Sequence, residues 1–138
     1  MLANEIMTKD VIVVSEDTTI DEVSKIFVDK NISGLPVVNQ YNKLVGVISE
    51  GDLVYKQKPV KPPLFINLFD GLIQIDRKEF QEDMKRIAAY KVSDLMSKPP
   101  IYAYENTPIA KIAEMVINKK VNRIPIVNEV HEVVGIIS

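Results

Sequence analysis

Residues 45–53 read VGVISEGDL, and residues 133–138 read VVGIIS. The two stretches are the ends of a much longer correspondence. Sliding the chain against itself by eighty-nine positions brings Met7 onto Met96, Ile12 onto Ile101, Thr18 onto Thr107 and Ile20 onto Ile109. Pro36 meets Pro125, Val38-Asn39 meets Val127-Asn128, Gly46 meets Gly135 and Ile48-Ser49 meets Ile137-Ser138. No gap is needed between residues 6–49 and 95–138. Self-similarity in a constant register means one supersecondary unit used twice.

Each copy reads as β-α-β-β. A short apolar strand comes first, VIVV at 11–14 or PIYAY at 100–104. Thr18 or Thr107 then stands where a helix N-cap belongs, with Asp21 three residues after the first and Pro108 at the expected first helical position of the second. Ile20, Val23, Ile26 and Phe27, and Ile109, Ile112, Met115 and Val116, follow at helical spacing. The helices are expected to stop near Asn31 and Lys120. The strands LPVVN (35–39) and IPIVN (124–128) come next, then a short polar turn, then LVGVIS (44–49) and VVGIIS (133–138). The last strands are apolar at almost every residue, which predicts cover on both faces. Neither copy alone can bury both faces, whereas two packed together can. The expected fold is α/β (α+β), with units at 1–55 and 92–138 and a linker at 56–91.

Composition narrows the function. The 138 residues are 46% hydrophobic, enough to bury a core, and carry a net charge of −2. Seventeen basic against nineteen acidic side chains offer no broad positive field to nucleic acid or an anionic membrane. Cysteine is absent, so disulfides, thiolate metal sites and thiol chemistry are excluded, and a reducing cytoplasm is the expected compartment. No apolar run reaches the roughly 18 residues of a membrane span. His131 is the only histidine and falls in the second hairpin turn, where a solvent-exposed role is expected. No phosphate-cradling glycine loop, metal-ligand spacing or nucleophile–base set is found. The chain does not read as an enzyme.

The order strand, helix, LPVVN, LVGVISEGDL closely resembles the cystathionine-β-synthase (CBS) domain, and two in tandem resemble a CBS pair, or Bateman module. The likeness covers about residues 3–55 and 92–138. It implies a disc-like pair with pseudo-twofold symmetry and clefts between the halves. In that family the clefts bind adenosine-containing ligands, commonly AMP, ADP or ATP and sometimes S-adenosylmethionine, for regulation rather than catalysis. The implied regulatory ligand is an adenine nucleotide, with no cofactor required.

A nucleotide needs a slot for its base, an acceptor for its ribose hydroxyls and donors for its phosphate. Asp52 in Ser49-Glu50-Gly51-Asp52 resembles the family's ribose carboxylate, and an ionised carboxylate can accept from both hydroxyls of a cis-diol. Ser49 can offer its hydroxyl, and Gly51 permits close backbone approach. Ser-x-x-Asp after a strand is also a helix-cap pattern, and the two readings coexist. Arg123, one of three arginines, stands before IPIV, where the family often carries a phosphate-contacting Arg or His, and a guanidinium fork suits phosphate. By that resemblance Arg123 serves the ligand held by Asp52. The rest of this cleft would be Val47, Ile101, Tyr102, Val121, Asn122 and Pro125, with Tyr102 the residue expected to stack or hydrogen-bond. The partner cleft, with Ile12, Val13, Ile32, Ser33, Gly34, Pro36 and Ser138, is poorer: Gly34 replaces the arginine, and the sequence stops before a second aspartate. The expectation is therefore a sequence cut short of its natural end.

The linker has three parts. YKQKPVKPP (55–63) reads as extended, residues 64–75 as an apolar flap or partner surface, and residues 77–90 as an amphipathic helix with Phe80, Met84 and Ile87 on one stripe. The expected function is an adenine-nucleotide sensor acting as a homodimer on an unknown effector protein. The alternatives are a ligand-free dimerisation or protein-interaction module and an S-adenosylmethionine sensor.

Overall fold

Two eleven-residue helices carry the repeat into three dimensions. The structure is a computed structural model and describes residues 1–54 and 90–138. The three linker expectations fall on residues outside that description, apart from Tyr90. In chain order the described elements are α1 (Ala3–Ile6), β1 (Val14–Ser15), α2 (Ile20–Lys30), β2 (Gly34–Val38), β3 (Leu44–Ser49), α3 (Glu50–Val54), α4 (Val92–Leu95), β4 (Ala103–Tyr104), α5 (Ile109–Lys119), β5 (Ile124–Val127) and β6 (Val133–Ile137). The strands form two three-stranded sheets, ordered β1-β2-β3 and β4-β5-β6.

β1 runs parallel to β2, pairing Val14 with Val37 and Ser15 with Val38, and β4 runs parallel to β5, pairing Ala103 with Ile126 and Tyr104 with Val127. The eighty-nine-residue register therefore holds in the hydrogen-bond ladders as well as in the sequence. Both first strands are two residues long, shorter than VIVV and PIYAY suggest. The reason lies in their partners. Continuing each ladder backward would set Val13 against Pro36 and Tyr102 against Pro125, and proline has no N–H to give.

Pro125 is nevertheless fully buried on a central strand. It faces Ile136 of antiparallel β6, and Ile136 turns its N–H and C=O to Thr8 instead, at 3.0 and 2.9 Å. The Pro125–Ile136 pair is thus one that exchanges no ladder bonds, so the missing donor costs nothing there.

Burial also differs from the sequence expectation. The strands covered throughout are the central ones, β2 and β5, at every residue. β3 alternates buried and half-buried positions, and β6 buries only Gly135 fully. Edge strands read as continuously apolar here without being covered on both faces. Gly135 has a packing reason: a Cβ there would lie 2.7 Å from Met7 Cγ and closer still to its sulfur.

The α2 N-cap is Thr19, whose hydroxyl accepts from Glu22 N–H at 3.3 Å, and not Thr18. The α5 cap is Pro108, while Thr107 closes a turn by accepting from Tyr104 N–H at 2.9 Å. Thr18 and Thr107 contribute their carbonyls to something else. Val92 N–H donates to Thr18 O at 2.8 Å and Ala3 N–H to Thr107 O at 2.9 Å. Ser93 N–H to Glu16 O and Asn4 N–H to Glu105 O, both 3.0 Å, repeat the pattern. So α4, from the second copy, docks before the helix of the first, and α1, from the first copy, docks before the helix of the second. Each short helix is tied at its own start as well, since Glu5 accepts from Leu2 N–H and Asp94 from Lys91 N–H.

This exchange helps explain why internal contacts do not divide the chain at the linker. One unit comprises Met1–Ser15, Leu35–Val47 and Lys98–Ser138, and the other Glu16–Gly34 and Ile48–Ser97. The first has a core of Ala3, Ala103, Ile112, Ile124 and Ile126, with Met7, Ile109, Met115, Val121, Val134 and Ile137 packed against it. Full burial of an isoleucine such as Ile124 or Ile126 contributes about 1.5–3 kcal/mol. The second unit buries Ile20, Val23 and Phe27 of α2, together with Ile48, Leu53, Val92, Leu95 and Met96.

Hairpin turns repeat to the atom. Asn39 Oδ1 accepts from Tyr41 and Lys43 N–H at 2.9 and 3.0 Å, and Asn128 Oδ1 from Val130 and Glu132 N–H at 3.1 and 2.9 Å. A left-handed residue completes each turn, Asn42 at φ 64° and His131 at φ 68°. The helices end as the sequence suggests, on left-handed Asn31 (φ 54°) and Lys120 (φ 53°). Asparagine tolerates that region, whereas a lysine Cβ is strained in it. Lys120→Gly should therefore raise stability by about 0.5–1 kcal/mol in urea unfolding, while Lys119→Gly, inside α5, should lower it by a similar amount. Equal destabilisation by both changes would contradict the cap assignment.

Candidate functional site

β3 runs into α3 without a loop, so Ser49 ends the strand and Asp52 falls in the first helical turn. Asp52 is 5% exposed and is the one buried charged residue among the described residues. Its Oδ2 accepts from Ser49 N–H at 3.0 Å and from Ser49 Oγ at 3.3 Å. Its Oδ1 accepts from Ser97 Oγ at 3.0 Å. A buried carboxylate needs such donors, and hydrogen bonds to an ionised acceptor are the stronger kind. The cap reading of Ser-x-x-Asp is thus built: Asp52 reaches back to the N–H of the residue before the helix. Glu50 N–H, next along, donates to Ser33 O at 3.0 Å. Ser33, Ser49, Gly51 and Asp52 accordingly share one corner of the Glu16–Gly34/Ile48–Ser97 unit, to which Ile32 also belongs.

Ser97 was not singled out from the sequence. A signal existed, because it is the register mate of Thr8 and so a hydroxyl in both copies. Its bond to Asp52 spans 45 positions of chain, which no local pattern reports.

The other candidates for the first cleft lie in the Met1–Ser15/Leu35–Val47/Lys98–Ser138 unit. Arg123 is partly buried just before β5, beside exposed Asn122. Val121 packs against the Ile112–Ile124–Ile126 core, which gives it a structural task whatever else it does. Pro125 is fully buried, while Val47 and Ile101 are partly so. Tyr102 is half-buried within an aromatic group, its ring edge-on to Tyr104 at 5.7 Å and to His131 at 4.8 Å. A hydrogen bond with Tyr104, then repulsion from that neighbour's phenolate, then slight burial, push its phenol above the ordinary value of 10.0. Tyr102 is thus a neutral hydroxyl at physiological pH. His131 is partly buried against Tyr102, a packing role that the solvent-exposed expectation missed. Of the second candidate set, Ile12 and Val13 are 37% and 36% exposed, Pro36 is fully buried and Ser138 is exposed.

Among the described residues, no group of three or more His, Asp or Glu side chains is arranged to hold a metal, and no helix is long and apolar enough to cross a membrane. At Asp52 the arrangement is a buried acceptor flanked by the hydroxyls of Ser49 and Ser97.

A family profile for the CBS domain matches residues 3–58 and 92–138. An uncharacterized protein of Methanocaldococcus jannaschii, MJ1426, is 34% identical over the whole chain, which covers 86% of that protein. Inosine-5'-monophosphate dehydrogenase of the same organism is 31% identical over 99% of the chain, which spans only 22% of the enzyme. The crystal structure of CBSX2 from Arabidopsis thaliana in complex with AMP aligns with TM-score 0.71 and 25% identity, covering 99% of this chain and 89% of that one. CBS pairs are regulatory modules rather than catalysts, even where, as in the dehydrogenase, they match part of an enzyme. With two matched segments that make up most of its length, the chain is a member of the CBS-domain family, carrying the domain in tandem.

Proposed function

We propose that this chain is a regulatory sensor of adenine nucleotides, AMP foremost, with one competent site. The observation that carries the reading is the Asp52 carboxylate, buried and held on both oxygens, by Ser49 and by Ser97. Such a group is a costly way to cap a five-residue helix and a suitable one to receive a ribose diol. AMP in the related CBSX2 supports the choice of ligand. In this reading the domains span residues 1–55 and 92–138, joined by 56–91. Asp52 takes the ribose hydroxyls, Ser49 and Gly51 border them, and Arg123 meets the phosphate. Val47, Ile101, Tyr102, Val121, Asn122 and Pro125 enclose the base. The poorer set, Ile12, Val13, Ile32, Ser33, Pro36 and Ser138, forms a second, weaker cleft. The ligand acts by binding one conformation more tightly than another, and an effector protein registers the difference. The module works in the cytoplasm.

It also works as a homodimer. Val28 of α2 and Ile117 of α5, register mates, are 70% and 74% exposed. Apolar side chains left bare at the same position of both repeats suit a self-complementary interface. Sedimentation equilibrium should return the mass of two chains, reduced to one by Ile117→Glu. A single-chain mass for the unaltered protein would remove this part of the proposal.

The ligand assignment is tested by thermal unfolding with AMP, ADP, ATP and S-adenosylmethionine. Free AMP at 100 times its dissociation constant should stabilise the chain by about 2.7 kcal/mol. Asp52→Asn keeps an oxygen for the Ser49 N–H, and it and Arg123→Ala should each weaken AMP binding about tenfold or more. Stabilisation by S-adenosylmethionine alone would move the assignment to that ligand. Indifference to all four at millimolar concentration would refute it.

A further inference from the structure

We infer that Ser97 is a positioning residue for nucleotide recognition: its hydroxyl fixes the rotation of the Asp52 carboxylate so that both oxygens are presented for a vicinal ribose diol. The inference rests on the nucleotide reading of Asp52 and adds a residue to it from outside the Ser-Glu-Gly-Asp motif.

The geometry separates the work of the two carboxylate oxygens. Oδ2 is held by Ser49, the residue immediately before the helix, through both its N–H and its hydroxyl. Those bonds fix one edge of the carboxylate. Ser97 supplies the second tether, on Oδ1, from the chain just beyond α4. Two tethers on opposite oxygens from separate segments define the plane of the group, which a single edge cannot do.

Exposure points the same way. Asp52 is buried, yet Ser97 is exposed. Ser97, exposed as a residue, thus borders the buried carboxylate through its hydroxyl. Ser97 is also carried by a fixed element: α4 is anchored by Val92 N–H on Thr18 O and Ser93 N–H on Glu16 O, and Leu95 and Met96 immediately before Ser97 are buried. Its position is therefore set by packing, which is what orienting a neighbour requires. The preceding exchange of α4 onto the start of α2 thereby acquires a consequence for binding, because it brings Ser97 to Asp52.

The test is a thermodynamic cycle on the full chain with AMP and 2′-deoxy-AMP, read by calorimetry. Ser97→Ala should weaken AMP binding about tenfold while changing 2′-deoxy-AMP binding by less than about twofold, because the diol contact is already broken in that ligand. Ser97→Thr, which keeps the hydroxyl, should restore AMP affinity. A purely structural role would weaken both nucleotides alike, and that outcome overturns the inference. If AMP binds and Asp52→Asn weakens it while Ser97→Ala does not, the positioning role alone is wrong. If the unaltered chain binds neither nucleotide, the sensor reading falls and this inference with it.

Discussion

A carboxyl group survives burial only where hydrogen-bond partners replace the water it has lost. Asp52 meets that condition with Ser49 on one oxygen and Ser97 on the other. The constraint reaches well beyond one side chain. Ser49 has to end β3 with its N–H turned back, so α3 must begin without an intervening loop. Ser97 has to arrive from the far side of the linker, so α4 must be seated against the start of α2. The backbone bonds from Val92 and Ser93 provide that seat. The helix cap and the proposed ligand acceptor are thus one arrangement seen from two sides.

The exchange of short helices gives the pair its cohesion. Each copy supplies the helix that completes the other, with the same donors and acceptors at the same register positions. In the unit containing the second copy, Ala3 of α1 joins the core with Ala103, Ile112, Ile124 and Ile126. Deleting the first residues of the chain would therefore open the second repeat rather than the first. A tandem built this way couples its copies through backbone as well as through any shared ligand.

Much of this was legible in the sequence because register is a long-range signal carried by many residues at once. The β-α-β-β order, the helix ends at Asn31 and Lys120 and the hairpins all follow from it. What the sequence hid depends on partners that lie far along the chain. VIVV looks like a four-residue strand, yet its ladder stops where Pro36 would have to donate. Thr18 looks like a cap, but its carbonyl serves Val92 and the cap passes to Thr19. The apolar run of β3 reads as doubly covered, although in the structure it is the central strand β2 that is covered at every residue. At the candidate site, Asp52 and Ser49 were readable from their spacing. Ser97 and the Tyr102–His131 contact were not, because each joins segments that no local pattern relates.

The central claim is that Asp52 and Arg123 grip one adenine nucleotide, and a crystal structure of the chain grown with AMP tests it most directly. The account predicts the ribose hydroxyls within about 2.6–3.2 Å of the Asp52 oxygens, Ser97 still bonded to that carboxylate, and the Arg123 guanidinium on the phosphate. AMP seated elsewhere, or bound with those side chains directed away from it, would contradict it.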